Sequence, residues 1–113
     1  MAEKPSISNV STPPSWLTRA EKAAFRRIIA ARKAMNKPVS EAESDMIADL
    51  VTLRSRIADT RSQYEHVRAA LARNPDWKSD QAHLLATSRM IDAQTAKAQQ
   101  MAAALGLFPT LQT

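Results

Sequence analysis

The sequence contains no cysteine, a single glycine and few aromatic residues, which make up 4% of its 113 positions. Without cysteine, the chain forms no disulfide and offers no thiolate to a metal. No segment alternates apolar and polar residues over five or more positions, so strands are not expected. No apolar run approaches the roughly 20 residues that span a bilayer, and the N-terminus lacks a signal-peptide core. These absences predict a soluble, intracellular, all-α protein without a membrane partner, and the lack of cysteine is compatible with a reducing cytoplasm.

Motifs for catalysis or cofactor binding are also missing. No nucleophile lies in a recognisable arrangement with a base, and there is no glycine-rich phosphate loop. The only histidines are His66 and His83. Asp80 lies one helical turn from His83, but no third metal ligand follows at helical spacing. We therefore predict a structural or surface role for both histidines, with no metal, no cofactor, no catalytic residue and no enzymatic activity.

A heptad pattern of apolar residues runs from Glu41 to Arg73. It starts after a capping box at Ser40 and stops before Asn74-Pro75. Its members are Met46, Leu50, Leu53, Ile57, Tyr64, Val67 and Leu71, with Thr60 between Ile57 and Tyr64. The pattern predicts one helix of roughly 50 Å that packs along a partner helix.

A shorter helix is predicted before this long one. Thr18 and Glu21 form a capping box, so this helix begins at Arg19 and runs to about Met35, where Lys37-Pro38 stops it. The long helix carries a second apolar strip along its first half, on which the first helix is expected to dock. The residues of this strip are Ile47, Val51 and Ala58.

A third helix is predicted after the Asn74-Pro75 turn, starting at Ser79 or Asp80 and ending at Leu105. Small residues on its seam permit close approach to the long helix, so the last two helices form a long antiparallel coiled-coil-like hairpin. Gly106 suits the left-handed position after a helix. The predicted organisation is a disordered arm at 1–15, a single helical oligomerisation and DNA-contact domain at 16–110, and a tail at 111–113.

The net charge of +5 is concentrated in residues 19–37, where seven cations face Glu21 alone and give +6. At 100° per residue from Phe25, five of them lie between about 60° and 120°, beside the apolar face. These five are Lys22, Lys33, Arg26, Arg19 and Lys37. Arg27 points elsewhere, and Arg32 falls on the apolar side. The row suits a phosphate backbone, but it equally suits a solvated face that keeps the protein soluble.

The far half of the long helix has more apolar seam than the alanine-rich third helix covers. An exposed seam predicts self-association, and a loosely packed tip is the alternative. Trp16 and Trp77 flank helices, where we expect anchors on helix ends or interface residues rather than base-stacking platforms. The residues assigned to an oligomer interface are Trp16, Tyr64, Val67 and Leu71.

The order of short motifs along the chain resembles a known family. The motifs are Pro14-Ser15-Trp16-Leu17-Thr18, Glu21-Lys22-Ala23, Phe25-Arg26-Arg27-Ile28, Ser40-Glu41-Ala42-Glu43-Ser44-Asp45, Asn74-Pro75, and Met101-Ala102-Ala103-Ala104-Leu105-Gly106-Leu107 followed by Pro109. In this order, over residues 13–110, the sequence resembles the small subunits of phage-type terminases, particularly the short kind that ends in Leu-Gly-Leu.

The resemblance implies a non-catalytic DNA-packaging component of a phage or a gene transfer agent, in the cytoplasm of a bacterial host. Members of this family assemble into homo-oligomeric rings, engage double-stranded DNA, and recruit or regulate the large terminase subunit. Together with the cationic row, it predicts binding of duplex DNA with low sequence specificity. The predicted contacts are Arg19, Lys22, Arg26, Lys33 and Lys37, with Arg27 secondary. The alternative is a helical scaffold or adaptor that binds only protein partners through its coiled-coil seam.

Overall fold

The computed structural model describes residues 12–75 and 77–107, which form three α-helices and no strand. They are α1 (Arg19–Ala34), α2 (Glu41–Arg73) and α3 (Lys78–Ala104). The all-α fold, with α2 and α3 as a long antiparallel hairpin, is confirmed. The expectations for residues 1–11 of the arm and for residues 108–113 lie outside the described residues. Among the described helices, none is both long and apolar enough to cross a membrane.

The chain forms two compact units. Unit 1 takes the residues up to Thr52 and those from Gln100 onward, and unit 2 is Leu53–Gln99. The apolar core of unit 1 combines α1, the first turns of α2 and the end of α3. Its buried residues are Leu17, Phe25, Ile28, Ile29, Ile47, Ala48, Leu50, Val51, Ala102, Leu105 and Leu107. The core therefore includes Ile47 and Val51, which the sequence predicts to receive α1, whereas Ala58 of the same strip belongs to unit 2 and is exposed.

Unit 2 is a two-helix hairpin with few buried side chains. Among its described residues, the buried apolar ones are Ile57, Val67 and Ala98. Thr60 and Thr87 are also buried, and each hydroxyl donates to the carbonyl four residues earlier, at 2.8 and 3.0 Å. These bonds satisfy the hydroxyls within their own helices, so Thr60 and Thr87 occupy buried positions without an unpaired polar group.

Candidate nucleic-acid interface

The only acid of α1, Glu21, takes part in the capping of the helix start. Thr18 Oγ1 accepts a hydrogen bond from the Glu21 N–H at 3.1 Å, and the Glu21 carboxylate accepts one from the Thr18 N–H at 2.9 Å. This capping box, predicted from the sequence, satisfies backbone donors that a helix start leaves without partners. The remainder of α1 carries cations and no further acid.

A turn before α1 places a leucine inside and a tryptophan outside. The Leu17 N–H donates to the Pro14 carbonyl at 3.3 Å. Leu17 retains 4% of its surface, whereas Trp16, the larger residue, retains 63%. Trp16 therefore lies mostly at the surface. Its assignment to an oligomer interface stays a prediction.

The end of α1 is set by a residue with left-handed backbone angles. Asn36 has φ 59°. Its N–H donates to the Lys33 carbonyl at 3.0 Å, and the Lys37 N–H donates to the Arg32 carbonyl at 2.9 Å. These two bonds form a Schellman motif, in which asparagine takes the position usually held by glycine. The sequence prediction attributed the stop to the proline that follows and missed this asparagine signal.

This ending changes the place of Lys37. α1 stops at Ala34, so the helical angle assigned to Lys37 does not apply, because that angle assumed a continuous helix. The side chain of Lys37 is exposed but lies beyond the helix. The part of the predicted row that helical geometry places on one side of α1 is Arg19, Lys22, Arg26 and Lys33.

Arg32 is the cation that α1 directs inward, and the structure gives it three sets of partners. It is only 6% exposed. Its guanidinium forms a fork with Glu43, with Nη1–Oε2 at 2.9 Å and Nη2–Oε1 at 3.2 Å. Nε donates to the Lys37 carbonyl at 2.9 Å, and Nη1 also donates to the Leu105 carbonyl at 3.0 Å. Within unit 1, this one side chain ties α1 to the start of α2 and the end of α3, and its charge is not available to an external partner.

Glu43 joins this pair to the cap of α2. Its Oε1 accepts from the Ser40 N–H at 3.1 Å, and its own N–H donates to Ser40 Oγ at 3.2 Å. The hydrogen bond from Arg32, followed by that from the Ser40 backbone, lowers the pKa of Glu43 below its ordinary value of 4.5. Both bonds favour the ionised carboxylate, so they stabilise the folded chain only while Glu43 is charged.

This pKa shift gives a prediction for acid stability. Because the folded pKa is lower than the unfolded one, the contribution of Glu43 is present above the unfolded pKa and is lost as the pH falls through the folded pKa. We expect Glu43→Gln to lower the free energy of unfolding at neutral pH. The difference from the wild type should shrink below about pH 4.5. Urea unfolding followed by circular dichroism across this range measures both effects. A difference that stays constant with pH would contradict the assignment.

The solvent-facing surface of α1 carries the row of Arg19, Lys22, Arg26 and Lys33, and Arg27 lies on this surface outside the row. Arg19, Arg26, Arg27 and Lys33 are exposed and Lys22 is half-buried. In the described part of the chain, the ion pairs are Arg32–Glu43 and the exposed pair Arg68–Glu65 at 3.7 Å, so these five cations have no acidic partner there. Alanines between or next to them in the chain are exposed as well, including Ala20, Ala23, Ala30 and Ala34. Short side chains between cations let an extended anion approach the helix closely.

The predicted interface residues of the hairpin differ in exposure. Val67 is buried within unit 2, whereas Tyr64 and Leu71 are half-buried. Sequence reasoning missed two large exposed apolar residues on α3, Leu85 at 52% and Met90 at 50%. Both lie off the predicted seam of the third helix, where a solvated helix usually has polar residues. Met90 Sδ also lies 4.0 Å from Thr60 Oγ1 of α2.

The two histidines line the same open cleft of unit 2. The cleft has a volume of about 500 Å³ and is lined by Ser62, Gln63, His66, Val67 and His83. The sequence paired His83 with Asp80, whereas the hairpin brings His83 and His66 to the same cleft. In the described ranges, no three acidic, histidine or cysteine side chains are grouped in a way that holds a metal ion.

No protein-family model matches the sequence, and no curated protein or solved structure matches it either. The functional assignment therefore depends on the residues and geometry described above and on the order of motifs in the chain.

Proposed function

We propose that this chain is a small-subunit component of a terminase, which binds double-stranded DNA with low sequence specificity and has no catalytic role of its own. In this proposal it assembles as a homo-oligomeric ring in the bacterial cytoplasm and recruits or regulates a large terminase subunit. The observation that supports the DNA contact is the largely exposed cationic row of α1, whose members form no ion pair with an acid among the described residues. The ring and the large subunit follow from the family resemblance alone.

The dimensions of the row suit a phosphate backbone. From Arg19 to Lys33, α1 rises about 21 Å. A duplex presents one charge per roughly 1.7 Å of its axis, so several phosphates fall within reach of the row. Lysine and arginine contacts to phosphates position a protein without reading bases. α1 contains no asparagine or glutamine, the side chains that recognise adenine in the major groove. This composition supports binding with little sequence preference.

The number of cations predicts the salt dependence of binding. If the four cations of the α1 row each neutralise one phosphate, log affinity should fall against log salt with a slope of about −3.6 per bound subunit. Participation of Lys37 would bring the slope to about −4.5. Fluorescence anisotropy of a labelled duplex, titrated at several NaCl concentrations, measures this slope. Two duplexes of unrelated sequence serve as the specificity control and should give the same affinity. A complex that does not respond to salt would contradict the proposed contact.

A helical scaffold or adaptor that binds only protein is the second candidate. It is favoured by the exposed Leu85 and Met90 and by the few buried apolar residues among those described in unit 2. Size exclusion with light scattering, run with and without duplex, separates the two functions. The DNA-binding proposal requires a larger particle when duplex is added at low salt, and the adaptor proposal requires an unchanged one.

A further inference from the structure

Trp16 is an exposed aromatic side chain held beside the cationic row. The turn closed by Leu17 N–H and the Pro14 carbonyl buries Leu17 and leaves Trp16 63% exposed. Three residues later, Arg19 begins the row. Their Cα atoms are at most about 11 Å apart, a distance of roughly three nucleotides along one strand of a duplex. The aromatic ring of Trp16 therefore lies close to a row of cations that can contact several phosphates.

The surroundings of Trp16 do not suit a protein partner. Of its described neighbours in the chain, Ser15, Thr18 and Arg19 are exposed and polar, whereas the apolar ones are half-buried (Pro13 and Pro14) or buried (Leu17). Among the described residues, the other large exposed apolar side chains are Trp77, Leu85 and Met90, which belong to unit 2. A protein interface needs a contiguous apolar centre around its aromatic anchor. A second copy that met Trp16 with the same surface, across a two-fold axis, would also bring two rows of like charge together, which is unfavourable.

A nucleic-acid base suits both the indole and the charges beside it. Bases stack on aromatic side chains whatever their identity, and their phosphates pair with nearby cations. Inside a duplex the faces of the bases are covered by their neighbours, so an indole at the surface meets a free face only at a duplex end or where a base is unpaired. We propose that Trp16 is a stacking platform for an unpaired base, so that the chain binds duplex DNA with a single-stranded extension more tightly than blunt duplex. This inference rests on the proposed DNA-binding function.

Three DNA probes test the inference. The first is a blunt duplex, the second carries a short single-stranded extension, and the third carries an extension of the same length built from abasic sites. The second and third probes have the same number of phosphates, so a difference between them reports the bases alone. We expect the extension with bases to bind about tenfold more tightly than the blunt duplex. The abasic extension should give little of that gain.

Two tryptophans of similar exposure provide matched variants. Trp16→Ala should abolish the preference for the extension with bases and leave the affinity for blunt duplex nearly unchanged. Trp77→Ala, whose indole is 55% exposed in unit 2, should keep the preference. Trp16→Phe retains a smaller ring and should keep part of it. In a Trp77→Phe background, Trp16 is the only tryptophan. Its fluorescence should fall when the extension with bases binds and not when the abasic one does.

The possible results separate this inference from the proposed function. Equal gains from both extensions, or an unchanged preference in Trp16→Ala, would overturn the stacking platform while leaving DNA binding intact. A smaller particle mass for Trp16→Ala with the preference retained would also overturn it and would place Trp16 between subunits. If none of the probes binds at low salt, the proposed function fails first, and the stacking platform fails with it.

Discussion

Replacement of Arg32 by methionine is expected to lower the free energy of unfolding by about 2 kcal/mol, since it removes the charge-assisted hydrogen bonds of a buried guanidinium whose partner, Glu43, is partly exposed. The change leaves the Glu43 carboxylate without its fork and the Leu105 carbonyl without the donor at 3.0 Å. Methionine is similar in length to the arginine stem, so the loss reports these polar contacts more than a cavity. Urea unfolding at neutral pH measures the effect.

Lys33→Met is the matched control for this prediction, because it removes a neighbouring exposed cation that forms no ion pair with the residues the structure describes. We expect it to change the free energy of unfolding by less than about 0.5 kcal/mol. Arg32→Lys should fall between the two, because an ammonium group cannot reproduce the planar fork. The double variant Arg32→Met with Glu43→Gln should lose less than the sum of the single changes, which shows that the two side chains are coupled. Equal stability of Arg32→Met and the wild type would contradict the proposed role of Arg32 in joining the three helices of unit 1.

Reversal of three charges on α1, by Lys22→Glu, Arg26→Glu and Lys33→Glu together, is expected to weaken duplex binding by about two to three orders of magnitude at low salt. Three phosphate contacts are lost, and three acids repel the backbone. The dependence of affinity on salt should nearly disappear in the same variant. Anisotropy with the blunt duplex measures both quantities. Circular dichroism and light scattering establish that helicity and particle mass are retained.

The matched control carries Arg54→Glu, Arg89→Glu and Lys97→Glu. These are three exposed cations of unit 2, so the net charge changes by the same amount on a different surface. If the α1 row is the contact, this control should lose less than about tenfold. A loss of equal size in both triple variants would mean that net charge, and not the row, governs binding. Wild-type protein that retains no duplex would favour the protein-only adaptor.

Local signals predicted the helices of this chain well. The bounds of α2 are those expected from the Ser40 capping box and the Asn74-Pro75 break. Gly106 has the left-handed φ of 74° expected at its position. Its N–H donates to the Ala103 carbonyl at 3.0 Å, and the Leu107 N–H donates to the Ala102 carbonyl at 2.9 Å. Such signals depend on neighbours within a few residues, so sequence alone specifies them.

Contacts between distant residues were not predictable in the same way. The angle of Arg32 showed a charge on the apolar side of α1, which signals that a partner must exist. It did not identify Glu43, which lies beyond a turn, or the carbonyl of Leu105, which is 73 residues away. The angle of Lys37 was misassigned because Asn36 ends the helix by its own backbone conformation. The exposure of Trp16 depends on which neighbour the turn buries, and composition gives no information on that choice.

The contacts that Arg32 makes in unit 1 affect which substitutions the chain can accept during evolution. Arg32 holds position 37 by a main-chain carbonyl, a group that all amino acids possess. Lys37 can therefore be replaced by a neutral or acidic residue during evolution, which changes the surface charge without removing the hydrogen bond from Arg32 to the carbonyl at this position. Arg32 itself has no such latitude, because no other side chain supplies a planar cation with five donors.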